Sequence, residues 1–387
     1  MIVRQLGAAL EHSARHYPVV CLTGPRQSGK TTLLKYLYPE RSYVSLEDPD
    51  TLEFCITDTR GFLNRGLEGG MIIDEAHRHP PLFNYLQGYA DRSPPGTWLL
   101  SGSNNFLLLQ SVSQSLSGRA GILHLLPLSG SELGAALEDP DWETAAFRGF
   151  FPRVRAEGMP PELFAKDYLA TYAERDVRLV RNIQSLPDFQ RFLKLCAGRA
   201  GQLLNLASLA QDAGLSVNTV KDWLGLLEAS FLVFQLKPWN ESFNKRLVKS
   251  PKLYWHDTGL LCRLLDIRSP ADLQFHPYRG AVFENLVVAE RMKRQVHGGE
   301  EARLGFWRES NGLEVDLVED SGRGLILWEA KAGQTLASDY FRSLQMVGDL
   351  CGVAPERRFV CYGGEEGQTR SVGQTIGWRD FLEKTEL

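Results

Sequence analysis

The chain has no C-x-x-C pair and no His/Cys spacing of the kind that builds a zinc site, so its six cysteines, Cys21, Cys55, Cys196, Cys262, Cys351 and Cys361, form no metal or disulfide framework. They read as reduced thiols of a cytosolic protein. No apolar run approaches the ~18 residues of a membrane helix, and the start lacks an apolar signal core. Excess positive charge is also missing: 43 Lys and Arg stand against 47 Asp and Glu, a net charge of −4. A global cationic field for polyanions is thereby excluded, and any nucleic-acid contact has to come from a local patch. Internal repeats and low-complexity tracts are absent. With 43% hydrophobic and 23% charged residues over 387 positions, the remainder is ordinary globular sequence, enough for two or three domains.

What is present is concentrated. Gly24-Pro25-Arg26-Gln27-Ser28-Gly29-Lys30-Thr31 fits G-x-x-x-x-G-K-[ST] and follows the apolar run Val19 to Leu22. A buried strand feeding a glycine-rich loop that opens a helix, here Thr32 to Tyr38, is the context in which backbone N–H groups cradle phosphates. Lys30 would reach the β- and γ-phosphates and Thr31 would meet Mg²⁺, with Thr32 beside it in the binding segment. The pattern implies a nucleoside triphosphate site, with ATP and Mg²⁺ as the expected cofactors. Met71-Ile72-Ile73-Asp74-Glu75 reads as a second central strand, 44 residues beyond Lys30, ending in two acids. Asp74 is expected in the Mg²⁺ shell and Glu75 as the base that orients and deprotonates water. A third strand, Trp98 to Gly102, ends at Ser103 and Asn104, candidates for the γ-phosphate or the attacking water. Arg119, after Ser117-Gly118, and Arg26 are candidate arginine fingers.

Downstream, Phe164, Tyr168, Leu169, Tyr172 and Val177 recur at helical spacing. Ten Lys or Arg stand against six Asp or Glu between Arg148 and Arg199, either a solvated face with pairs such as Glu174–Arg178 or a lid whose Arg175 or Arg178 senses nucleotide. Leu206, Leu209 and Ala210 share one helical face, Gly214 turns the chain, Ser216 is a plausible N-cap, and Val220, Trp223, Leu224 and Leu227 stripe a second helix before β-rich Phe231 to Leu236. That is the layout of a winged helix-turn-helix. Its recognition face (Asn218, Thr219, Lys221, Asp222) is weakly basic, whereas the wing segment carries Lys237, Lys245, Arg246, Lys249 and Lys252 against Glu241, candidate phosphate contacts. Finally, Glu284 falls on the predicted helix Arg279 to Arg294, Glu314 and Asp316 share a strand face, and Glu329 and Lys331 share another, thirteen and fifteen residues past Asp316. Carboxylates Glu284, Asp316 and Glu329 suit Mg²⁺, and Lys331 could activate water beside a scissile phosphate.

Gly-Pro-Arg-Gln-x-Gly-Lys-Thr-Thr, Ile-Ile-Asp-Glu, Leu-Ser-Gly-Ser-Asn and Leu-Ser-Gly-Arg resemble a bacterial and archaeal family of AAA+-type ATPases. The likeness extends through Leu-Tyr-Trp-His-Asp257-Thr-Gly and Phe283-Glu284-Asn to Glu-Ala-Lys331. A departure is Trp-His before Asp257, where an apolar residue is expected. The resemblance implies an α/β chain with an AAA+ P-loop core (1–135), a helical lid (136–200), a winged helix (201–255) and a restriction-nuclease-like PD-(D/E)XK domain (256–387), similar to archaeal Holliday junction resolvases. The expectation is an ATPase, translocase or helicase in character, forming a hexamer-type ring on branched or forked DNA and acting away from membranes. Two further readings are a nucleotide-dependent signalling switch whose last domain docks a protein, and an ATP-regulated nuclease.

Overall fold

A computed structural model describes residues 2–102, 108, 112, 114–172, 185–239 and 248–384. The chain forms two compact units, one of Met1–Leu128 with Ala229–Phe231 and Gln295–Glu301, the other of Ser129–Glu228, Leu232–Arg294 and Ala302–Leu387. The segments expected as lid, winged helix and nuclease-like domain fall in the second unit, apart from those two short stretches.

In the first unit, β1 (Val19–Thr23), β2 (Ser42–Ser45), β3 (Met71–Asp74), β4 (Trp98–Gly102) and β5 (Ala120–His124) form a parallel sheet in the order β2-β3-β4-β1-β5. Alternate side chains of one strand face opposite ways, so a continuous apolar run serves two cores. Val19, Cys21, Ile73, Trp98 and Leu100 join one buried cluster, and Val20, Leu22, Ile72 and Leu99 join the other. With β3, β4 and β1 adjacent and parallel, their carboxyl ends share one edge of the sheet. Asp74, Ser101 and the loop after Thr23 meet there by topology alone. Arg119, by contrast, precedes β5, and its carbonyl accepts from Val19 N at the start of β1. It therefore lies at the amino edge.

In the second unit, Asn205 caps the helix Leu206–Ala213 through Ser208 N (3.0 Å), and Gly214, at φ 67°, ends it. Ser216 Oγ accepts from Thr219 N at 3.0 Å and starts the helix Val217–Ala229, as its position suggests. The antiparallel pair β6 (Val233–Leu236) and β7 (Lys252–Trp255) follows. A six-stranded sheet, order β12-β13-β11-β10-β9-β8, is built from β8 (Leu304–Arg308), β9 (Glu314–Asp320), β10 (Leu325–Lys331), β11 (Arg358–Tyr362), β12 (Gln368–Arg370) and β13 (Gly373–Gly377). The predicted helix at 279–294 runs over Arg279–His297, with Val282, Phe283, Leu286 and Val287 buried. Five cysteines are buried and Cys351 is partly so. Burial pushes the thiol of Cys21 up to about 12 and that of Cys55 to about 11.

Asp257, in the Trp-His-Asp-Thr-Gly run, is buried and accepts from Leu260 N (3.0 Å) and Phe150 N (2.7 Å). It thus caps one helix while tying down a chain segment 107 residues earlier. Asp257→Ala leaves two buried N–H groups without acceptors and is expected to lower stability by about 2–4 kcal/mol, read as a fall in the urea midpoint. A midpoint like that of the wild type would contradict this role.

Candidate functional site

The loop after β1 is shaped by backbone that ordinary residues resist. Gly24 has φ 146°, and a Cβ there would stand 2.1 Å from Leu125 O; Gly29 has φ 95° and Gln27 φ 59°. Gly29 leads directly into the helix Lys30–Leu37. Lys30 Nζ donates to the carbonyls of Gly24 (3.0 Å) and Pro25 (2.8 Å), so the ammonium lies folded over its own loop. Ser28 is buried beneath it, and Arg4, itself buried, ties Ser28 O (2.6 Å) to Leu126 O (2.7 Å). Arg26 lies within this loop, and Thr32 follows Thr31 on the helix.

The acids at the end of β3 meet that loop. Asp74 Oδ2 accepts from Thr31 Oγ1 at 2.8 Å and from Tyr43 OH at 2.9 Å, and Oδ1 accepts from Ser101 Oγ at 2.5 Å. Burial together with the neighbouring Asp74 charge pushes the Tyr43 hydroxyl up to about 12, which keeps it a donor. Tyr43 and Ser101 escape sequence reading because strand-end hydroxyls are common. The only signal is that Ser101 follows an apolar strand. Glu75 occupies the left-handed region at φ 53°, sparse for a residue with a Cβ, with its carboxylate 3.1 Å from His77 Nδ1. Asn104, with Ser103, lies outside the described residues, as do Arg175, Arg178, Lys245 and Arg246. Arg119 pairs with Asp91, Nε to Oδ1 at 2.5 Å, at the sheet edge opposite the phosphate loop. It is no candidate for the site of its own chain, because the strands are parallel and their length separates the two edges.

A second polar constellation lies in the other unit. Asn285 exchanges hydrogen bonds with the Trp255 backbone (2.8 and 2.9 Å), which fixes the long helix against β7. Glu284, one residue earlier, therefore meets Tyr254 OH (2.6 Å) and Lys252 Nζ (2.9 Å). The β9–β10 register pairs Leu317 with Trp328 and brings Asp316 beside the end of β10, where it accepts from Ala330 N at 2.9 Å. Glu329 and Lys331 share a face as expected, 2.7 Å apart. Lys252 is the correction. It is 1% exposed, and its ammonium lies 2.7 Å from Glu314 and 4.0 Å from Asp316, so it cannot serve as a wing contact to phosphate. Lys237 and Lys249 are the exposed members of that set among the described residues.

The predicted metal set does not assemble either. Among the described residues no three His, Cys, Asp or Glu side chains are arranged to hold a metal ion. Amid these carboxylates stands the ammonium of Lys252, within reach of Glu284, Glu314 and Asp316. Burial first, and then the Asp316 charge, push Glu284 up to about 7 and Glu329 to about 8. Burial alone would pull Lys252 down, but Glu284, Asp316 and Glu314 together hold it above the usual lysine range. A carboxyl group whose folded pKa is raised binds more protons when folded, so its stabilisation is present below about 4.5 and is lost as pH rises through about 8. Glu329→Gln is expected to flatten that slope, narrowing the stability difference between pH 5 and pH 8 by about 2 kcal/mol in paired urea titrations. Identical slopes in the two proteins would contradict this.

Three family descriptions match in succession: an AAA domain over residues 16–134, a domain of unknown function (DUF8612) over 139–271 and a domain of unknown function (DUF4143) over 279–380. The mycobacterial proteins named Uncharacterized protein Rv2008c (Mycobacterium tuberculosis) and Uncharacterized protein Mb2031c (Mycobacterium bovis) are each 33% identical over 332 residues, 83% of this chain and 72% of theirs. Among solved structures, the Walker-type ATPase of Pyrococcus abyssi is similar at 17% identity over 68% of this chain and 96% of that one, with a TM-score of 0.46. No helix among the described residues is long and apolar enough to cross a membrane. The AAA-domain match falls on the sheet whose carboxyl edge carries the phosphate loop, and the chain belongs to the family of these mycobacterial proteins, with a P-loop ATPase of the AAA type as its first unit.

Proposed function

We propose that the chain is an ATP hydrolase that couples turnover to DNA, with branched or forked duplex as its substrate class. The observation that carries the hydrolase is the convergence of Lys30, Thr31, Asp74 and Glu75 at one sheet edge, with Thr31 Oγ1 and Asp74 Oδ2 only 2.8 Å apart. A hydroxyl and a carboxylate side by side are hard oxygen donors that fit Mg²⁺, and they would hold it. When bound, that ion neutralises charge on the β- and γ-phosphates. Lys30 turns from its loop carbonyls to the phosphates, and the N–H groups of Ser28 to Thr31 cradle them. Glu75, placed by its left-handed backbone and the His77 contact, takes the proton of the attacking water.

DNA enters this reading through the second unit. Helix, left-handed glycine, helix and two-stranded sheet over 206–255 suit a winged helix. A helix carrying Glu284, packed with a mixed sheet carrying Asp316, Glu329 and Lys331, suits a PD-(D/E)XK-like module. The helices of 136–200 would serve as a lid. Subunits would assemble as a ring, the one setting in which Arg119 could serve a neighbouring chain's site. A second reading, a nucleotide-dependent switch whose last domain docks a protein, is favoured by one observation. With Lys252 buried, the exposed basic surface of the wing segment shrinks.

Lys30→Ala is expected to lose ATP binding in equilibrium dialysis. Glu75→Gln is expected to bind ATP normally and to turn it over about 10²–10⁴-fold more slowly. Normal hydrolysis by either variant would refute the assignment of the site. At low salt, forked duplex is expected to raise the wild-type ATPase rate several-fold over linear duplex. An unchanged rate with every DNA would favour the switch.

A further inference from the structure

The carboxylates of the second unit already have a cation. Lys252 comes from the β6–β7 pair and not from the six-stranded sheet that supplies Glu314, Asp316 and Glu329. Its ammonium reaches Glu284 at 2.9 Å and Glu314 at 2.7 Å, with Asp316 at 4.0 Å. The Phe306 ring centre is 5.4 Å away, and the backbone of Gly201 closes over the Glu284 carboxylate, where a Cβ would meet it at 3.3 Å. An ammonium with hard oxygens about it supplies one positive charge where a divalent ion would supply two. Lys331 answers Glu329 Oε1, while Glu329 Oε2 is buried with no hydrogen-bond partner among the described residues. One carboxylate oxygen is thus left for which the described residues supply no donor.

We propose that Lys252 is a tethered substitute for a divalent cation, so that the cluster of Glu284, Glu314, Asp316 and Glu329 binds no Mg²⁺ or Mn²⁺ while Lys252 occupies it, and becomes a divalent-cation site when the ammonium is removed. The inference stands on side-chain geometry and is independent of how the first unit uses ATP. It assigns the module a binding role rather than a cutting one in this conformation.

The test is Mn²⁺ uptake by the full chain without nucleotide, followed by loss of the free-ion EPR signal, in wild type, Glu329→Gln, Lys252→Met and Lys252→Met/Asp316→Asn. Wild type and Glu329→Gln should take up Mn²⁺ equally weakly. Lys252→Met should bind one Mn²⁺ per chain at a concentration at least tenfold lower, with a matching rise in melting temperature, and Asp316→Asn should abolish that gain. Wild-type uptake that Glu329→Gln removes would overturn the proposal, as would a folded Lys252→Met that binds no better than wild type. If Lys252→Met does not fold, the comparison of wild type with Glu329→Gln decides by itself: equal uptake supports the ammonium as resident cation, and unequal uptake refutes it.

Discussion

The carboxylate of Asp74 is the fixed point of the nucleotide edge. A buried charge is tolerated only when its hydrogen-bonding capacity is met, and here three hydroxyls from three different elements meet it: Thr31 from the helix after the loop, Tyr43 from β2 and Ser101 from β4. Each of those bonds also reports a register. Tyr43 can reach Asp74 only because β2 pairs with β3 residue for residue, and Ser101 only because β4 lies between β3 and β1. The charge and the strand order therefore stabilise one another.

The second unit solves the same problem differently. Four carboxylates cannot be satisfied by hydroxyls, and Tyr254 answers only one of them. Their mutual repulsion is offset by ammonium groups brought in on separate segments, Lys252 on β7 and Lys331 on β10. A buried charge cluster held by ion pairs is sensitive to the loss of any one member, because each partner left behind is desolvated and unpaired.

The phosphate loop, the acids after β3 and the long helix with Glu284 were legible because their chemistry is local. Glycines, a lysine and a threonine at fixed spacing, or an apolar run ending in Asp-Glu, state their own context. Ser216 was legible as a cap for the same reason. Lys252 was misread because a lysine in a basic stretch looks solvated, and its burial depends on Glu284 and Glu314, 32 and 62 residues further on. The place of Arg119 was not legible, because only the parallel pairing of β1 with β5 puts it at the amino edge of its own sheet. Asp257 could be noticed as part of a run of residues, yet its partner Phe150 lies 107 residues earlier in the sequence. Pairings of that range come from packing, which periodicity does not encode.

The thiols offer a practical consequence. Alkylating reagents attack thiolate, and burial holds Cys21, Cys196, Cys262 and Cys361 protonated far above neutral pH, with Cys55 shifted in the same direction. Cys351, the last residue of the helix Arg342–Cys351, is the one cysteine of the six that is only partly buried. A maleimide dye added to the native protein would therefore attach at a single place in the second unit. Fluorescence could then follow that unit through a reaction cycle with the other five cysteines left as they are.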